Sequence, residues 1–414
     1  DQLQNNGTIT LTSDDGSVLV QRDSQSAGAT APTLTAYGRS EIRSRLLLAN
    51  ESGELVESSI PIGTHNGSIR LTADAQSSFG FNSNVLTGDL LSSFGDIDIR
   101  AAGNIDVGTL HGDPFEALED ATQASIGLLS LQSGLGITSP SLDQVGTLRA
   151  NAIVLRSGTE LFLPDLNLEA ALGVRVSVPG GSIQLGNLTT LGYGPSLDVR
   201  GFGPQFANFS LGDSLEYGQG GIWVDTFNGS VQTGTINAVG YVRLTTGFGD
   251  IQVATVDALE NLVPASITAG SFIELNNVNR PVFDRGSETP FGGESFAIIN
   301  LNAVAPTGPN SCEGPCPSIR AGDLAAAGPL ALTSSNAIES GNIMARVALP
   351  TANDADASVQ LLGAGNISVG DISSFAQTLG GFADASVLVQ SASGDIRTGK
   401  IETGAQAGST ALPS

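Results

Sequence analysis

The amino-acid sequence predicts an all-β chain, a parallel β-helix (β-solenoid) with three short strands per turn and several inserted loops. Three observations carry this expectation: a glycine-led strand unit that recurs along the chain, a phase slip at a second glycine, and an unusual composition. Of 414 residues 53 are glycine and only 14% are charged, against a usual 7% and a quarter. Such a chain is neither a disordered acidic tail nor a helical bundle.

The unit reads Gly, then Ser, Asn or Asp, then Ile or Val, any residue, then an aliphatic or Thr. It starts at Gly16, Gly67, Gly95, Gly103, Gly181, Gly229, Gly249, Gly365 and Gly394. Successive starts lie 20, 28 or 29 residues apart in the clearest cases, within the period of solenoids. Gly95 and Gly103 are so close that they must open neighbouring strands of one turn. In Gly103-Asn104-Ile105-Asp106-Val107 the aliphatics alternate with polar residues, one face in and one face out. Ile105, Ile183, Ile251, Ile367 and Ile396 share a slot and are expected in stacked inward columns. Arg70, Asp98, Asp106, Gln184, Gln252 and Arg397 share the outward slot, which tolerates nearly anything.

Next comes the slip. After Val107, Leu185, Thr233, Val369 and Thr398 a glycine follows, and the next aliphatic arrives three positions on instead of two. Glycine suits a corner between strands because it reaches backbone angles closed to other residues and leaves room to bend. A third strand precedes the unit at Val242-Arg243-Leu244, Val359-Gln360-Leu361 and Val387-Leu388-Val389. About 14 to 17 such turns, stacked at roughly 4.8 Å, would make a rod of about 65 to 80 Å.

Where the period breaks, loops are expected to leave a single rod spanning 1–414, near 22–60, 111–124, 192–221 and 276–320. A short helix-like stretch lies at 114–123. The third insertion gathers Tyr193, Phe202, Phe206, Phe209 and Tyr217, with Trp223 just after it, in a chain of only 21 aromatics. These six residues are either a satellite core or a candidate partner surface. Repeat grammar begins at Gly7 and still runs at Gly404, so the residues are expected to belong to something longer, by covalent continuation or by end-to-end assembly.

Gly-Asn-Ile-Ser-Val-Gly-Asp-Ile (365–372) and Gly-Asp-Ile-Arg-Thr-Gly-Lys-Ile (394–401) resemble the haemagglutinin-type repeats of filamentous-haemagglutinin-like exoproteins of two-partner secretion. The resemblance covers the rod, about two thirds of the chain. It implies a right-handed β-helix, export from a bacterium, and a structural or adhesive stalk on the cell surface or outside the cell.

Net charge is −24, which disfavours nucleic acid and anionic membranes as partners. No apolar run is long enough to span a membrane, so no membrane insertion is expected. Cys312 and Cys316 flank Glu-Gly-Pro in a turn-rich insertion, and the turn can bring their Cα atoms within disulfide range. His65 and His111 offer no ligand spacing to this pair, so no metal site is expected. Calcium could bridge carboxylates on so acidic a chain, but the glycine-rich calcium nonapeptide is absent and no cofactor is expected. Asp96 and Asp98, with Arg100 beside them, could do acid–base work on a sugar. Outward aspartates recur throughout as turn chemistry, however, and the reading that follows is a non-enzymatic one. Its partners would be a host or neighbouring cell surface, or copies of itself end to end in a filament or sheath; a polysaccharide lyase or glycosidase is the remaining alternative.

Overall fold

The computed structural model describes residues 8–13, 18–19, 34–36, 41–49, 55–63, 67–73, 83–87, 90–92, 94–107, 110–112, 128–137, 146–190, 221–238, 240–256, 261–270, 272–275, 278–281, 299–304, 317–349, 354–378 and 381–408. Within them every regular element is a strand. Three parallel sheets run along the chain, and each strand pairs with its counterpart one turn earlier and one turn later. This is a three-sheet parallel β-helix.

Sheet 1 holds the strand that precedes the glycine unit, as at Gly221–Thr226, Val242–Thr246 and Leu330–Ser334. Sheet 2 holds the unit itself, as at Ile183–Leu185, Val231–Thr233 and Ile367–Val369. Sheet 3 follows the slip, as at Leu188–Thr190, Ile236–Ala238 and Ile372–Thr378. Sheet 1 counts twelve rungs among the described residues, a stack of about 55 Å at 4.8 Å per rung. The repeat spacing overestimates the number of turns because the insertions consume chain without adding rungs.

The register is strict. Ile222, Val242, Ile299, Leu330 and Val359 stand over one another on successive rungs of sheet 1. Ile183, Val231, Ile251, Ile319, Ile338 and Ile367 do so on sheet 2. These side chains form one continuous core, nearly all of it fully buried. Each such aliphatic contributes about 1.5–3 kcal/mol relative to an exposed one. Of the five isoleucines expected inside, Ile105, Ile183, Ile251 and Ile367 are fully buried. Ile396 is 47% exposed: it holds the expected register over Ile367 but lies on the last described rung.

Two details of the sequence reading change. The units at Gly67 and Gly95 form sheet 1, at Gly67–Ala73 and Phe94–Ala101, while that at Gly103 leads into sheet 2. Arg70 and Asp98 therefore belong to a different outward face from Asp106, Gln184, Gln252 and Arg397. The described corner glycines also serve for a different reason than backbone angle, since among the described residues only Gly146 and Gly270 are glycines with positive φ. At the slip a Cβ on Gly370 would be driven against Asn342 Oδ1 and one on Gly399 against Asp371 Oδ1, and at the other corner a Cβ on Gly249 would enter the backbone of Gly229, and one on Gly229 that of Gly181. The turns approach so closely there that only glycine fits.

The polar residues of the motif have a matching purpose. At the corner between sheets 2 and 3, Asn342 N–H donates to Asp323 Oδ1 at 2.7 Å, Asp371 N–H to Asn342 Oδ1 at 3.0 Å, and Lys400 N–H to Asp371 Oδ1 at 2.7 Å. The corner between sheets 1 and 2 repeats the device with Ser230, Asp250 and Ser318. Inside that corner, Thr226, Thr246, Ser334 and Ser391 donate their hydroxyls to carbonyls of the preceding turn. The turn's backbone groups are thus paired from one rung to the next, as burial requires.

The insertions contain antiparallel hairpins. Glu41–Ala49 pairs with Leu55–Gly63, and Phe272–Leu275 with Val278–Pro281. A third hairpin, Ile251–Val256 with Leu262–Pro264, extends sheet 2 sideways. The stretches 114–123 and 192–220 lie outside the described residues.

Candidate functional site

Side chains on the outward face of sheet 1 alternate with the inward columns, so each rung offers two positions. From the second rung to the eighth these positions hold Arg70, Asp98, Arg100, Arg156, Arg175, Trp223, Asp225 and Arg243, with neutral residues between. Five of the chain's 16 arginines and only two of its 41 acids therefore share this face. A strip of positive charge runs along a molecule that is otherwise strongly acidic.

Trp223 is the centre of the strip and the only tryptophan in the chain. Register places Arg175 one rung before it and Arg243 one rung after, in the same outward column. The guanidinium carbons lie 5.2 and 4.6 Å from the indole centroid. Both arginines are thus held against the ring by cation–π contact, at about 0.5–1 kcal/mol each for partly exposed pairs. Arg243 Nε also donates to Thr245 Oγ1 at 3.3 Å. In the adjacent outward column Ser177 Oγ donates to Asp225 Oδ2 at 2.8 Å. Asp225 Oδ1, Trp223 Nε1 and Asn302 Oδ1 are enclosed without a hydrogen-bond partner in the protein.

Asp98 is also on this strip, and its surroundings argue against acid–base work. Arg100 Nη2 lies 3.2 Å and Arg70 Nε 3.7 Å from Asp98 Oδ2. Its residue exposure is 8%, so this carboxylate is pinned between two guanidiniums. Asp250 and Asp371 are spent on the corner ladders. Asp106 is different: burial pushes its carboxyl above the ordinary value. Two of the asparagines in Asn-x-Ser/Thr sequons, Asn187 and Asn366, likewise accept backbone N–H groups of the next turn.

Of the six aromatic residues expected at a partner surface, Trp223 stands on the sheet. Tyr193, Phe202, Phe206, Phe209 and Tyr217 lie outside the described residues, as do Cys312 and Cys316. A second aromatic feature escaped the sequence reading. Phe227 and Phe248, each 51% exposed, meet edge to face at 5.2 Å on neighbouring rungs just beyond sheet 1. Its signal was the recurrence of Thr-Phe-Asn-Gly (226–229) and Thr-Gly-Phe-Gly (246–249) at one corner.

Among the described residues no group of three or more His, Cys, Asp and Glu stands close enough to hold a metal ion. No helix among them is long and apolar enough to cross a membrane. No family model, curated protein or solved structure matches the chain.

Proposed function

We propose that this chain is a secreted or cell-surface structural and adhesive stalk, of the filamentous-haemagglutinin-like type, that mediates contact with another cell or surface without catalysing a reaction. The observation that carries the reading is the separation of tasks across each strand of sheet 1. Inward positions repeat Ile, Val and Leu rung after rung, while the outward positions of seven consecutive rungs collect a basic, aromatic strip. A scaffold that holds side chains at fixed intervals over a long flat face suits recognition of an extended partner. The likeness of 365–372 and 394–401 to haemagglutinin-type repeats supports the same reading.

Beads coated with the purified chain test it. They should adhere to cells or to extracellular matrix, and the protein should release no unsaturated sugar from acidic polysaccharide. Absence of adhesion, or polysaccharide cleavage, overturns the reading.

A further inference from the structure

Resting on the adhesive reading, we propose that the outward strip of sheet 1 around Arg175, Trp223 and Arg243 is a binding site for an anionic polysaccharide, which it grips by its carboxylate or sulfate groups. Four features of the strip lead there.

The first is charge. The strip has five arginines against two aspartates, and Asp98 is already engaged by Arg70 and Arg100. Arg156, Arg175 and Arg243 make no ion pair with any described carboxylate in the structure, so their charge is available to a partner. A positive strip on a chain of net charge −24 also favours the approach of a polyanion to this face over the acidic remainder.

The second is preorganisation. Each guanidinium lies over the same indole, and apart from the Arg243 Nε bond to Thr245 its N–H groups are left for an anion. Arginine's fixed fork then reads a carboxylate or sulfate bidentately. Little side-chain entropy remains to be lost on binding, which is where a flexible surface arginine wastes affinity.

The third is spacing. Arg175 and Arg243 are two rungs apart, about 10 Å along the rod. That interval suits an extended polymer with an acidic group on alternate sugars. Arg156 stands on the rung before Arg175 in the adjacent outward column, in register with Ser177, where it would meet the flank of a chain lying along the rod.

The fourth is hydrogen bonding. Trp223 Nε1, Asp225 Oδ1 and Asn302 Oδ1 lack partners in the protein, and unpaired groups of this kind are costly. Sugar hydroxyls are both donors and acceptors and match this mixed set of one donor and two acceptors in kind. Nucleic acid offers the phosphates but not this density of hydroxyls.

Trp223 also supplies the assay, since the chain's whole tryptophan fluorescence comes from the site. Polygalacturonate and dextran sulfate, the carboxylate and sulfate arms, are titrated against the full chain, with neutral dextran and single-stranded DNA in parallel. A saturable change in Trp223 emission with at least one acidic polysaccharide is expected, and none with neutral dextran. Arg175→Ser with Arg243→Ser should weaken that binding at least tenfold. Arg156→Ser, a change at an exposed residue, should weaken it about threefold even if the double variant does not fold. Arg320→Ser, on sheet 2, should leave it unchanged. No response to either acidic polysaccharide, an equal response to neutral dextran, tighter binding of DNA, or wild-type affinity in both strip variants overturns the proposal. If the beads still adhere while neither polysaccharide binds, this site fails and the adhesive reading stands; if polysaccharide binds but beads do not adhere, the reverse holds.

Discussion

Sheet 1 is two different surfaces built on one scaffold. From the second rung to the eighth its outward positions carry five arginines, two aspartates and Trp223; from the ninth to the twelfth they carry Asn300, Asn302, Ala331, Thr333, Gln360, Leu362, Leu388 and Gln390, with no charge at all. The inward columns do not change across this boundary. Leu244, Leu301, Leu332 and Leu361 are equally buried on successive rungs. The outward difference is therefore not required by the inward packing, which is the same in both regions. Where packing leaves a position free, its occupant reports on something else, and for the first region recognition is the role proposed above.

The largest expected effect tests the shared half of this comparison. Leu244→Asp and Leu332→Asp each place an unpaired carboxylate in the same column, one in each region. Both should cost on the order of 3–5 kcal/mol, and denaturant titrations should agree within about 1 kcal/mol. A much smaller loss at either site would break the equivalence of the columns.

Next in size is the corner. Gly249→Ala, whose methyl meets the Gly229 backbone, should cost about 1–3 kcal/mol by overpacking, read as a lower melting temperature. Asn342→Ala removes the acceptor for the Asp371 N–H but leaves that group open to water. It should cost about 0.5–1 kcal/mol, and Asn342→Asp, which keeps the oxygen, should restore most of it.

Asp106 should give the smallest effect. Its carboxyl titrates above the ordinary value because burial disfavours the charge. Folding thus favours the protonated form, and the stability this group contributes is fully present below its unfolded pKa and lost as pH rises through the folded one. Asp106→Asn should raise the melting temperature slightly at pH 7 and leave it unchanged near pH 3.

The inward columns were legible in the sequence because alternation and the glycine slip are local signals. Ile183, Ile251 and Ile367 could be placed from five residues each. The assignment of Gly67 and Gly95 to sheet 1 was not legible, since Gly-Ser-Ile-Arg-Leu and Gly-Ser-Ile-Gln-Leu look alike and only pairing separates them. The arginine–tryptophan column was hidden for another reason. Its members lie 48 and 20 residues apart, and the insertion before Gly221 destroys the period that would align them. Val-Arg-Val-Ser (174–177), Ile-Trp-Val-Asp (222–225) and Val-Arg-Leu-Thr (242–245) align once all three are known to be sheet 1 strands. Trp223 was noticed for its aromatic neighbours in sequence, whereas its partners in space are two arginines.

Inward positions make the fold, and the outward strip adds little to it. Thermal melting of Arg175→Ser with Arg243→Ser, run beside wild type and Leu244→Asp, measures this division. The double variant forfeits two cation–π contacts, about 1–2 kcal/mol together, and should melt within about 3 °C of wild type, while Leu244→Asp melts far below both. A double variant destabilised as severely as Leu244→Asp would show that the strip holds the solenoid together, and would contradict the division on which the functional reading rests.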